Sequence, residues 1–145
     1  MNYVSSYFSP NRGSADVLIG FIDRCKYTID AAVYCITHDD ITDALIRASK
    51  RGVAIRIITD KTQSLGKWSD DEKLVEASIP LIRRGKSWRG SMHHKFIIGD
   101  KKAVGTGSFN WTKNADKHNH ENFVIVRLSY VVKQYSNEFE QLWND

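Results

Sequence analysis

Between Ala15 and Cys25 the apolar positions Val17, Leu18, Phe21, Ile22 and Cys25 fall on one helical face, which predicts an amphipathic helix with Ser14 as its N-cap. From Tyr27 to Ile36 the rhythm changes to a period of two. Ile29, Ala31, Val33 and Cys35 alternate with their neighbours, as in a buried strand. Ile41, Ala44, Leu45 and Ala48 restore helical spacing, and Gly52 ends that second helix. The β-branched run Val53 to Thr59 predicts another strand, and strand–helix–strand order implies a parallel pair joined by a right-handed crossover.

The remaining segments are shorter. Tyr3 to Phe8 is aromatic and β-branched enough for an opening strand. Lys61 to Trp68 is polar and reads as a loop, Ser69 as the cap of a short helix carrying Leu74 and Val75, and Ile79 to Ile82 as a short strand. Lys95–Ile98 and Ala103–Thr106, joined through Gly99 and Asp100, have the form of a hairpin. Phe123 to Leu128 is a further strand, and Val131, Tyr135, Phe139 and Leu142 line one face of a closing helix. Mixed strands with interspersed helices place the chain in the α/β class. With 145 residues, no repeat and no break in composition, residues 1–145 are expected to form one domain.

Composition narrows the function classes. Apolar residues at 41% and charged residues at 26% are the balance of a globular protein, and no apolar run approaches the ~20 residues of a membrane span. Met1 to Pro10 has neither the basic nor the apolar region of a secretory signal, so a soluble, cytoplasmic protein is expected. Cys25 and Cys35 are expected as free thiols rather than a disulfide. The net charge of +4 is modest, but Arg83, Arg84, Lys86 and Arg89 cluster around Trp88 just before the main motif. A solvated loop would look the same. Its position makes a nucleic-acid-binding patch the sharper expectation.

The chemistry concentrates in His93-His94-Lys95-Phe96-Ile97-Ile98-Gly99-Asp100 followed by Gly107-Ser108-Phe109-Asn110, the pattern H-x-K-x4-D-x6-G-S-x-N. On a strand, residues i and i+2 share a face, so His93 and Lys95 point together and His94 points away as a packing or surface histidine. The pair sets a nucleophile or base beside a fixed cation, the equipment for attack on a phosphate. Ser108 and Asn110 repeat the spacing, and both can donate hydrogen bonds to phosphate oxygens. Asp100 lies in the hairpin turn and is expected to fix the loop, not to carry a proton. HxK or GSxN alone would mean little. Joined at this spacing they form a specific motif.

That motif resembles the HKD signature of the phospholipase D superfamily. Phe8-Ser9-Pro10, Ala15-Asp16-Val17-Leu18 and Asp23, Ala48-Ser49-Lys50-Arg51-Gly52-Val53, a strand ending at Asp60, Gly107-Ser108-Phe109-Asn110-Trp111-Thr112 and Glu121-Asn122 are similar to the bacterial Nuc endonuclease group. The resemblance implies a phospholipase D-like mixed sheet flanked by helices on both faces. It also implies a homodimer, since larger members carry two motifs per chain and this chain carries one. His93 of one subunit would attack phosphorus to give a phosphohistidine, and His93 of the other would protonate the leaving oxygen. Lys95, Ser108 and Asn110 would stabilise the phosphoryl oxygens, and Glu121 would orient the imidazole. Gly107 and Asp100 complete the motif as structural positions. No cofactor and no metal are implied. His118 and His120, near Asp116 and Glu121, lack the cysteine pair of a common zinc site, and no Zucchini-type cysteine cluster is present. An endonuclease acting on DNA or RNA is the leading expectation. The alternatives are a lipid phosphodiesterase and a silent nucleic-acid-binding dimer.

Overall fold

The computed structural model describes residues 2–86 and 88–145. The elements, in order, are β1 (Val4–Ser9), α1 (Ser14–Arg24), β2 (Thr28–Val33), α2 (Asp39–Lys50), β3 (Ala54–Asp60), α3 (Lys61–Ser64), α4 (Asp71–Glu76), β4 (Leu81–Lys86), β5 (Gly90–Ser91), β6 (Lys95–Gly99), β7 (Ala103–Gly107), α5 (Lys113–Lys117), β8 (Glu121–Val126) and α6 (Ser129–Asn144). Among the described residues the strands form one eight-stranded sheet in the order β1-β8-β7-β6-β2-β3-β4-β5. β2, β3 and β4 run parallel, while β6, β7, β8 and β1 continue antiparallel from β2.

Both faces of the sheet are covered, so the central strands are buried throughout rather than on alternate residues. One face packs Ile29, Ala31, Val33, Ile57 and Ile97 against Leu18 and Ile22 of α1 and Ile41 and Leu45 of α2. The other packs Ala32, Ile58, Phe96, Ile98 and Val104 against Val132 and Phe139 of α6. Arg56 reinforces this second layer. Its guanidinium donates to Asp30 at 2.9 Å, pairs with Glu140 of α6 and lies 4.9 Å over the Phe139 ring. Among the described residues no helix is long and apolar enough to cross a membrane.

Several local expectations are corrected. Ser14 does not cap α1: Gly13 occupies that position, and the Ser14 hydroxyl donates to the Phe8 carbonyl at 2.8 Å. Lys61 to Trp68 is not all loop, because Asp60 caps the short helix α3 by accepting from Thr62 and Gln63. Ser69 does accept from the Asp71 N–H, but the capping position of α4 belongs to Asp70. The strand expected at Ile79–Ile82 begins at Leu81 and runs on through Arg83 and Arg84. The buried face of α6 is built on Val132 and Phe139, with Val131 only partly covered. Cys25 and Cys35 are free thiols, the first buried and the second partly so. Burial pushes the Cys25 thiol up to about 12, so it stays protonated and packs as an apolar group.

Candidate active site

Antiparallel pairing of β6 with β2 sets Lys95 opposite Val33, so the start of β6 lies at the carboxyl ends of the parallel strands. β7 ends and β8 begins at the same edge, where Gly107 faces Phe123. In open α/β sheets this edge, at a change of strand direction, is where ligands bind. The HxK element, the GSxN element and Glu121 are therefore gathered on one rim by strand register alone.

His93 is exposed and Lys95 half-buried. The Lys95 ammonium lies 2.9 Å from His93 Nδ1 and 3.4 Å from Nε2, and donates to the His93 carbonyl at 2.8 Å. Close to both ring nitrogens at once, the ammonium sits over the imidazole rather than along a single nitrogen lone pair. Burial presses the Lys95 pKa below the ordinary lysine value, more than the negative charge of Glu121 lifts it. A desolvated cation is a stronger electrostatic partner for a phosphate than a hydrated one. His94 points the other way. It pairs with Glu138 of α6 at 2.9 Å and stands edge-on to Phe96.

Ser108 and Glu121 meet directly, Ser108 Oγ donating to Glu121 Oε1 at 2.9 Å and accepting from the Asn122 N–H at 3.0 Å. Within this chain the Glu121 carboxylate thus holds Ser108 rather than the His93 ring. Gly107 is required by close approach, since a Cβ there would overlap the Asn122 carbonyl oxygen. Asn110 has a buried side-chain oxygen without a partner, so a polar group is left to be satisfied at the rim. Asp100 forms a clamp. Its carboxylate accepts from the backbone N–H groups of Lys26, Tyr27 and Thr28 and ties the hairpin to the α1–β2 connection.

Three supports escaped the sequence reading. Tyr34 lies with its ring 4.5 Å from that of His93 and receives a hydrogen bond from Gln63. Asp60 is 3% exposed; besides capping α3 it accepts from the Met92 N–H at 3.0 Å and so fixes the residue before His93. Its signal was available, because Asp60-Lys61-Thr62-Gln63 has capping-box spacing. The third is a buried pair, His38 and Asp116 at 3.3 Å, beside the point where the Trp111 carbonyl accepts from the Thr37 and His38 N–H groups. That seam anchors the loop carrying Asn110 and carried no local signal.

The basic stretch is divided by the strand it forms. Arg83 turns to one side and pairs with Glu72 at 2.9 Å and with Ser64. Arg84 turns to the other and donates to the Leu142 and Trp143 carbonyls at the end of α6. Lys86, Trp88 and Arg89 remain exposed, with the Arg89 guanidinium 4.2 Å over the Trp88 ring. Asp116 and Glu121 are engaged with His38 and Ser108, and among the described residues no three potential ligands converge on a metal position.

Comparisons with known proteins agree with this geometry. The family model described as "Cardiolipin synthase, PLD-like domain" matches residues 18–143. The chain is 33% identical over 137 residues to a mitochondrial cardiolipin hydrolase of Chlamydomonas reinhardtii, covering 94% of this chain and 60% of that protein. It is 37% identical over 132 residues to a phospholipase D of Rickettsia conorii, covering 91% and 65%. The chain therefore spans less than two thirds of the length of these curated relatives. The crystal structure of Nuc from Salmonella typhimurium, a phospholipase D family member, superposes with a TM-score of 0.90 at 31% identity, covering 97% of this chain and 93% of Nuc. A matching domain model over most of the chain, an HxK–GSxN rim and a Nuc-like eight-stranded sheet together place this protein in the phospholipase D superfamily, within its single-motif Nuc-type group.

Proposed function

We propose that this chain is a nuclease that cleaves phosphodiester bonds without a metal ion, at a site completed by a second copy of itself. The observation that carries the reading is Lys95, half-desolvated and within hydrogen-bond distance of the exposed His93 ring, on a rim supplied with only one such pair per chain. A phosphate bound there would draw Lys95 away from the imidazole and free the ring to attack. One His93 nitrogen forms the bond to phosphorus while the partner copy's imidazolium protonates the departing oxygen. The same partner imidazole, now neutral, takes a proton from water. The resulting attack breaks the phosphorus–nitrogen bond and restores both rings. Lys95 and Asn110 meet the equatorial oxygens, the work that a divalent cation does in other nucleases, and Ser108 joins them once its hydroxyl swings from Glu121 to the phosphate. Glu121 acts by holding Ser108 and by opposing the loss of charge on Lys95.

Nucleic acid as substrate is supported by the likeness to Nuc along almost its whole length and by Lys86, Trp88 and Arg89, which offer phosphate contacts and a stacking surface. A lipid phosphodiesterase is the second reading. It is favoured by the names of the curated relatives and by Leu65, which is 83% exposed. The test is digestion of plasmid DNA, single-stranded DNA and RNA in EDTA, in parallel with phosphatidyl substrates and with sedimentation. Cleavage of nucleic acid by a dimer, lost by at least a thousandfold in His93→Ala, is expected. Because one histidine must be neutral and its twin protonated, the rate should be bell-shaped in pH. Hydrolysis of lipid alone, full activity as a monomer, or abolition by chelator would overturn the reading.

A further inference from the structure

We propose that the groove between the α3–α4 connection and the start of α5 holds an unpaired nucleic-acid strand next to the scissile phosphate, and that Trp68 stacks on one of its bases. The inference rests on the nuclease reading above and adds the substrate form: single-stranded rather than duplex.

The groove has a volume of about 750 Å3 and is walled by Cys35, Gln63, Trp68, Thr112, Lys113 and Asn114. Its wall is linked to the reactive rim through Gln63. Gln63 donates to the Tyr34 hydroxyl at 3.0 Å, and the Tyr34 ring lies 4.5 Å from His93. On the opposite wall, Thr112 and Lys113 follow Asn110 closely in the chain. A polymer bound with one phosphate at His93 would therefore pass its next nucleotides into this channel.

The chemistry of the walls selects the occupant. Trp68 is 75% exposed, and the Lys67 ammonium lies 5.1 Å from its ring. Lys73 is occupied by Asp39 at 3.0 Å and by Asp70 at 3.5 Å. Lys67 and Lys113 enter no ion pair among the described residues, so they carry the positive charge open to a ligand. An aromatic face beside free ammonium groups matches a chain that alternates planar bases with phosphates. An acyl chain fits poorly, because it would strip water from the polar groups of Thr37, Gln63, Ser69 and Asn114 without replacing their hydrogen bonds. Within a duplex the base faces are already stacked on one another, so only an unpaired base can use the Trp68 ring.

The experiment compares wild type, Trp68→Ala and Trp68→Phe on three substrates: bis(p-nitrophenyl) phosphate, a single-stranded oligonucleotide, and the same sequence as a duplex. Binding of the labelled single strand to His93→Ala and to the His93→Ala/Trp68→Ala double variant is measured without turnover. Trp68→Ala should leave hydrolysis of the small ester unchanged, raise KM for the single strand about tenfold, and leave the duplex unaffected. Phe should restore most of the loss, and the double variant should bind the single strand about tenfold more weakly. Equal effects on single strand and duplex, or none on either, would overturn the inference while leaving the nuclease reading intact. So would a loss confined to anionic phospholipid vesicles, or a dimer that dissociates in Trp68→Ala, since either assigns the groove another occupant. Wild type that cleaves no nucleic acid would instead remove the nuclease reading itself.

Discussion

Replacing Asp60 with alanine tests how the reactive histidine is held in place. The carboxylate is 3% exposed and serves two elements at once: Oδ1 accepts from the Met92 N–H at 3.0 Å, and Oδ2 accepts from Thr62 and Gln63 at the start of α3. Leaving the buried Met92 N–H unpaired costs about 1–3 kcal/mol. Loss of the helix cap costs about 1 kcal/mol more. A combined destabilisation of about 2–4 kcal/mol corresponds, at ~3 °C per kcal/mol for a chain of this size, to a melting temperature lowered by about 10 °C. The effect on activity follows separately, because Met92 precedes His93 and Gln63 anchors Tyr34 against the His93 ring. A displacement of the imidazole by about 1 Å is expected to lower kcat on the order of a hundredfold. Thermal unfolding and single-strand cleavage well below the melting point read the two effects independently. Asp60→Asn keeps one carbonyl acceptor and should fall between alanine and wild type in both. If Asp60→Ala melted with wild type, or melted lower yet cleaved at the wild-type rate per folded molecule, the positioning argument would be refuted. Gly85 belongs to the same junction: its φ is 94°, and a Cβ there would lie 2.7 Å from the Met92 nitrogen and 2.8 Å from Asp60 Oδ1. Gly85→Ala should therefore reproduce part of the Asp60 phenotype.

Four further outcomes are expected. Burial raises the Asp100 pKa, but the N–H groups of Lys26, Tyr27 and Thr28 together with Lys102 outweigh it and leave the carboxyl below its ordinary value. Its stabilisation is thus full above the unfolded-state pKa near 4 and is lost as pH falls through the lower folded value. Asp100→Ala should cost about 1–2 kcal/mol at neutral pH, and in chemical denaturation its deficit against wild type should shrink on acidification below pH ~4. Glu121→Gln removes the charge that lifts the Lys95 pKa, so the Lys95 ammonium should lose its proton at lower pH than in wild type, read by NMR titration of its side chain; an unmoved titration would separate the two groups. Arg84→Ala, which breaks two bonds to the end of α6, should lower stability by about 1–2 kcal/mol and leave the salt dependence of oligonucleotide binding unchanged. Arg89→Ala should leave stability unchanged and flatten the salt slope by about one.

The elements whose signals are local were legible in the chain. The α/β class, the hairpin of β6 and β7 and the α2 stripe follow from side-chain period, and the same-side placement of His93 and Lys95 follows from their i, i+2 spacing. The motif pointed to phosphate chemistry because it is nearly contiguous, and the structural role of Asp100 could be read from its place in a turn. Long-range pairing settled the remainder. Whether Glu121 reaches the imidazole or Ser108 depends on the register of β7 against β8. Whether a cluster of arginines is a binding surface or part of the framework depends on the strand that alternates them: Arg83 and Arg84 went to opposite sides, each to a partner outside the cluster. α6 carried two overlapping apolar stripes, and only the shape of the facing sheet chose Val132 over Val131. Asp60 and Met92 are 32 residues apart, and His38 and Asp116 are 78 apart. Composition and period cannot foresee such contacts, because their energy exists only once the sheet has brought the partners together. A chain's rhythm determines its elements and the residues that share a face, whereas the partners on which a reactive group leans are decided by packing.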